Sequence, residues 1–133
     1  MKLSVFLTIS AVGSFAFGAM MFFMPGFAAQ LLGIVFTPQT ASLLQGMGGL
    51  IIGFGAVNFF VRNFKDDNIL RVILLTNIIT NTTGLLTDVF GVVNGALLTS
   101  KMAPVEVTHL FIGIGSLIYL LRSRRDAGSV CHF

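Results

Sequence analysis

Four polar residues stand out within the apolar stretches of this chain: Gln45, Asp88, Glu106 and His109. An imidazole can donate, accept or carry a proton, and a carboxylate facing it fixes the neutral tautomer or pairs with the charged ring. Glu106 and His109 are three residues apart, so they share one face of a helix. A second set, Asn77, Asn81, Gly84 and Asp88, recurs at offsets of four, three and four and also defines one helical face, widened by Thr76, Thr80 and Thr87. Asn58 could meet Asn77 in a separate layer. Such groups suit proton transfer, ion binding, recognition of a polar headgroup, or a polar clamp between helices. The oxygen and nitrogen donors Asp88, Glu106 and His109 do not diagnose a metal, and no metal site is assigned. His109 could give a ring nitrogen to a haem or chlorophyll-type pigment, but the residue types do not decide a cofactor. No phosphate loop, nucleophile elbow, HExxH or CxxC pattern occurs, so no catalytic residue is assigned.

The elements that must position these groups follow from composition. The chain is 55% hydrophobic and 10% charged over 133 residues, against roughly 25% charged in an average soluble domain. A chain this short cannot hide so much apolar surface from water, and lipid is its natural solvent. No charged residue lies between Lys2 and Arg62, far more than the roughly 20 residues that cross a hydrocarbon core. The reading is an all-α, four-helix bundle, one transmembrane domain, with spans at about 3–24, 38–61, 69–93 and 104–121 and a short basic tail, 122–133. Pro25-Gly26 ends the first span, and the length of its apolar run favours a retained helix over a cleaved signal peptide. Residues 26–36 form an uncharged connection, interfacial or re-entrant. Thr37-Pro38 starts the second span as cap and first helical residue. Asp66, Asp67 or Asn68 can cap the third, and Asn94-Gly95 ends it. The fourth is expected to open near Pro104. Asn81-Thr82-Thr83 matches a glycosylation sequon, but its mid-span position argues against modification.

Charge sets the orientation. Lys2, Arg62, Lys65, Arg71, Arg122, Arg124 and Arg125 fall on one side of a four-span layout and Lys101 alone on the other. The positive-inside rule puts the seven, and both termini, in the cytoplasm. The membrane expected is a bacterial inner membrane or another that faces cytoplasm. The same clusters read as topology signals and not as a nucleic-acid surface. Asp88 is then about five residues, or roughly 7–8 Å, from the outer end of its span. Gln45 and His109 lie at matching depth and Glu106 one turn shallower. All four could meet beneath the outer surface.

Small residues mark where helices can approach in lipid. Ser10, Ser14 and Gly18 recur every four residues, the glycine-rich run from Gly46 through Gly48 to Gly55 contains the GxxxG pair Gly49 and Gly53, and Gly113 and Gly115 lie in the last span. These serve packing within the bundle or a contact with a partner. The single cysteine, Cys131, allows no internal disulfide, and Cys131-His132 is expected to be unstructured.

Pro25-Gly26, Leu31-Leu32-Gly33, the run Gln45-Gly46-Met47-Gly48-Gly49 and a late His109 together resemble the small four-span bacterial proteins of the DoxX-like group. The resemblance implies a four-helix fold and carries over no catalytic residue. The function expected is that of a structural or accessory subunit, associating with itself or with other membrane subunits in the bilayer. A small transporter, channel or proton-handling protein, and an enzyme acting on a lipid or quinone, are the alternatives.

Overall fold

The computed structural model describes residues 1–129, with side-chain surroundings as far as residue 123, and the Cys131-His132 pair lies outside the described residues. Five helices follow one another: α1 (Leu3–Phe23), α2 (Pro25–Leu32), α3 (Pro38–Val61), α4 (Asp67–Val93) and α5 (Thr99–Ser129). Four of them, all but α2, are long and apolar enough to cross a membrane.

Local chemistry explains most of the boundaries. Thr37 caps α3 in a reciprocal box, its hydroxyl accepting from the Thr40 amide while the Thr40 hydroxyl accepts from the Thr37 amide, with Pro38 in the first turn. Asp66 caps α4 by accepting from the amides of Asn68 and Ile69. Asn94 closes α4, and Gly95 follows at φ 73°, a left-handed conformation that glycine takes without steric cost.

The 26–36 connection holds a short helix that Pro25 starts on the α1 terminus and Gly33 ends at φ 70°. One expectation needs correction. Helix α5 opens at Thr99, five residues before Pro104. Proline lacks only its own N–H, so Pro104 removes the bond to the Ser100 carbonyl and leaves the earlier turn standing.

Helices α1 and α3 pack along each other, as do α4 and α5, and the two pairs touch more sparsely. The α1–α3 seam is built on backbone contact. A Cβ placed on Gly18 would lie 2.8 Å from the Gly48 carbonyl oxygen, and one on Gly48 would lie 2.7 Å from that of Gly18. Gly55 makes the next contact, against Ser14 and Ala11. Across the pairs, the Phe6 ring fills the space left by Gly115, with its centroid 5.7 Å from Phe111 and 5.3 Å from Tyr119.

Two apolar clusters close the ends. Phe6, Leu7, Val61, Leu74 and Leu120 form one, and Met21, Ala28, Ala29, Leu32, Leu44 and Met102 the other. The first cluster lies at the basic end, where the Tyr119 hydroxyl donates to the Met1 carbonyl at 2.5 Å and Arg62 and Asn63 lie beside Ser4 and Val5. The polar residues of α4 occupy the axial stretch between the two.

Candidate functional site: a buried asparagine, histidine and aspartate chain

The α4 stripe faces inward. Asn77 and Asn81 are buried, and so is Asn58 of α3. Asn58 and Asn77 exchange amide hydrogen bonds of 3.3 and 2.9 Å, which satisfies a donor and an acceptor on each. Asn81 donates from Nδ2 to the Asn77 carbonyl at 2.8 Å. That bond turns its Oδ1 toward α5, where it lies 3.0 Å from His109 Nδ1. The other ring nitrogen, Nε2, lies 3.5 Å from Asp88 Oδ2, with both side chains mostly buried. Residue 84 lies under the ring and has no side chain: a Cβ there would be 2.6 Å from His109 Cε1. The glycine in the stripe is therefore the seat of the histidine.

This arrangement fixes proton positions. Asn81 Oδ1 is an acceptor only, so His109 Nδ1 must carry the hydrogen. Nε2 of the neutral ring is then a lone pair facing Asp88 Oδ2. A proton placed between these two atoms would relieve the repulsion of the facing lone pairs and leave the pair uncharged overall. The 3.5 Å separation exceeds a normal hydrogen bond and falls within ion-pair reach, and Asp88 Oδ2 has no hydrogen-bond partner. The site can hold a proton at a defined place, and it ties α4 to α5.

The proposed meeting of four polar side chains is corrected in two respects. Gln45 is exposed, and its amide donates to the Phe22 carbonyl at 3.2 Å, at the junction of α1 and α2. An amide side chain on α3 is captured by the nearest free carbonyl, here at an α1 terminus that the next helix interrupts. Glu106 sits on α5 against Val89, Val92, Val93 and Met102, and its Oε2 is buried without a partner. Among the described residues no three His, Cys, Asp or Glu side chains gather closely enough to hold a metal ion.

The small residues divide between two faces. Gly18 is in the α1–α3 seam, Ser14 meets Gly55 across it, and Gly113 faces Asn81. Ser10 is buried within the chain, so it cannot serve as an outer contact. A Cβ on Gly53 would meet nothing within 4 Å, and one on Gly49 only the Phe22 ring at 3.9 Å. Sequence reasoning marked Gly48, Gly55 and Gly115 as small residues without their partners, α1 for the first two and the Phe6 ring for the third, and missed Ser116, which is buried with no partner for its hydroxyl. The glycine run around position 48 signalled close approach, but its register came only from α1.

A small central cavity of about 90 Å³ touches Asn58, Asn77, Asn81, Thr80 and Thr108. A larger cleft of about 480 Å³ adjoins it between α1, α2 and α5, sharing Gly13, Phe17 and Thr108.

Fold and site together define a small all-helical bundle with four apolar helices of membrane-crossing length and a polar chain through its interior. The chain belongs to the family described as a domain of unknown function, DUF8292, which matches residues 8–132. No curated protein and no solved structure matches the chain.

Proposed function

We propose that the chain is a four-span membrane protein with both termini cytoplasmic that works by helix association, as a structural or accessory subunit. Its partners would be further copies of itself or other membrane subunits, in a bacterial inner membrane or another facing cytoplasm. The resemblance to DoxX-like proteins supports the four-span frame only.

The observation that carries this reading is the second face of α3. Ser42, Gly46, Gly49 and Gly53 recur at offsets of four, three and four, and all are exposed. The inward glycines of the same helix, Gly48 and Gly55, are already consumed by α1. A smooth glycine face gains little from lipid chains but lets another helix approach closely, so packing energy favours a partner there. The test is size measured by light scattering in mild detergent. Gly49→Leu with Gly53→Leu is expected to dissociate the native assembly, and Lys101→Ala is expected to leave it intact. A wild-type chain that is monomeric and partnerless in several mild detergents would rule association out.

A second reading, proton or polar-solute handling, is favoured by the succession of polar groups from Asp88 through His109, Asn81 and Asn77 to Asn58. Its support is the approach of His109 Nε2 to Asp88 Oδ2 at 3.5 Å, a place where a proton could be held. Asparagine amides do not relay protons readily, so transport would need water in the central cavity. Proteoliposome proton flux that disappears in Asp88→Asn would favour this reading over association alone.

A further inference from the structure

The cleft between α1, α2 and α5 has a built shape that packing alone does not require. Phe17, Leu31, Leu32 and Val105 give it apolar walls, while Ser100, Lys101 and Thr108 are its polar members. Its volume of about 480 Å³ lies within the ordinary range of small-ligand pockets, roughly 300–1,000 Å³. Gly13 opens the wall on α1, since a Cβ there would meet nothing within 4 Å.

Two of the polar members share one line with Pro104. Ser100, Pro104 and Thr108 follow at intervals of four, so they form a single stripe on α5. Pro104 has no N–H, and the Ser100 carbonyl thus lacks its usual donor four residues on. Thr108 instead satisfies its own hydroxyl on the Pro104 carbonyl at 3.0 Å. Lys101 is exposed beside this acceptor, and its stem runs over Gly33, whose added Cβ would be 3.3 Å from Lys101 Cγ. Lys101 forms no ion pair among the described residues. The mouth therefore offers a cation and a carbonyl without its usual i+4 donor, and the depth offers apolar walls over about 10 Å from Lys101 to Thr108.

We propose that this cleft binds one anionic phospholipid, its phosphate on Lys101, a headgroup hydroxyl on the Ser100 carbonyl, and the upper part of an acyl chain between Gly13, Phe17 and Leu32. Charge complementarity selects the occupant. Among the described residues Lys101 is the one basic side chain lining the cleft, and a cation at the mouth of an apolar groove pairs with an anionic headgroup by simple charge attraction. A protein partner fits less well, because the cleft is walled by three helices of one chain and adjoins only a small cavity of about 90 Å³. The proposal rests on the membrane placement given above and is independent of association.

The experiment uses the full chain, extracted from membranes in mild detergent, exchanged into mixed phosphatidylglycerol and phosphatidylcholine, and weighed by native mass spectrometry. One retained phosphatidylglycerol per chain is expected, preferred roughly fivefold, the worth of one lysine near a headgroup. Lys101→Gln should abolish the preference and Lys101→Arg should keep it. Gly13→Leu should lower retention of both lipids, with helicity by circular dichroism unchanged. Equal retention of the two lipids by wild type, or an undiminished preference in Lys101→Gln, overturns the site. Failure to partition with membranes would overturn the membrane reading as well, so the two failures are distinguishable.

Discussion

At the residue scale, His109 fits between α4 and α5 because residue 84 is glycine and because Asn81 is itself held by Asn77. Gly84→Ala puts a Cβ into the ring, and the ring must move off Asn81 or the helices must part. Overpacking of this kind costs about 1–3 kcal/mol, and a comparable loss is expected in chemical or thermal unfolding. The proton arrangement is checked by nitrogen NMR of labelled histidine in a His132→Gln background. The neutral His109 ring should carry its hydrogen on Nδ1, and Gly84→Ala should lose that signature. A wild-type ring protonated only on Nε2 would contradict the hydrogen bond to Asn81.

At the scale of elements, the helices join by different means. The α1–α3 seam is a backbone contact made possible by glycines, whereas α3 meets α4 through the paired amides of Asn58 and Asn77. In lipid, where apolar surface has little reason to leave its surroundings, both devices are expected: close van der Waals approach and interhelical hydrogen bonds. Two glycines two residues apart on α3 separate the seam from the helix itself. Gly48→Ala would meet the Gly18 carbonyl and the Phe22 amide at 2.7 Å and should destabilise by about 1–3 kcal/mol. Gly46→Ala meets nothing within 4 Å inside the chain and should leave the fold of the single chain unchanged or stabilised, by up to ~1 kcal/mol from helix propensity, any cost falling on assembly alone. Unfolding of both variants in detergent checks the contrast, and equal effects would mean that α1 and α3 do not touch at Gly48.

At the scale of the molecule, the charge asymmetry acquires a geometry. Met1 lies against Tyr119, and Arg62 lies beside Ser4 and Val5, so separate basic segments gather at one end. Lys101 packs beside Gly33 at the other. If the basic end faces the cytoplasm, a cysteine introduced at Lys101, in a Cys131→Ser background, should react with an impermeant reagent applied to intact cells. One at Lys65 should react only after permeabilisation. The reverse pattern would invert the orientation. Association through α3 and lipid capture by the cleft use different sides of the bundle, so neither excludes the other.

The helices were legible because their causes are local. Unbroken apolar runs, Thr37-Pro38, Asp66 and Asn94-Gly95 act over a few residues, and the boundaries of α3 and α4 follow from them. The inward stripe of α4 was equally legible, since period alone aligns Asn77, Asn81, Gly84 and Asp88. Local signals misled where a helix continues through a residue that usually starts one: Pro104 lies inside α5, because a missing N–H near a helix start removes a single bond. Only tertiary structure decided the partners. Gln45 shares a depth with Asp88 and His109 but turns to Phe22, and Glu106 lies one turn from His109 yet faces valines. Depth is a single coordinate read along a helix, whereas contact also needs the rotation of each helix about its axis. That rotation is set by which glycines meet, Gly18 with Gly48 rather than Gly49, and it emerges only when two helices are packed together.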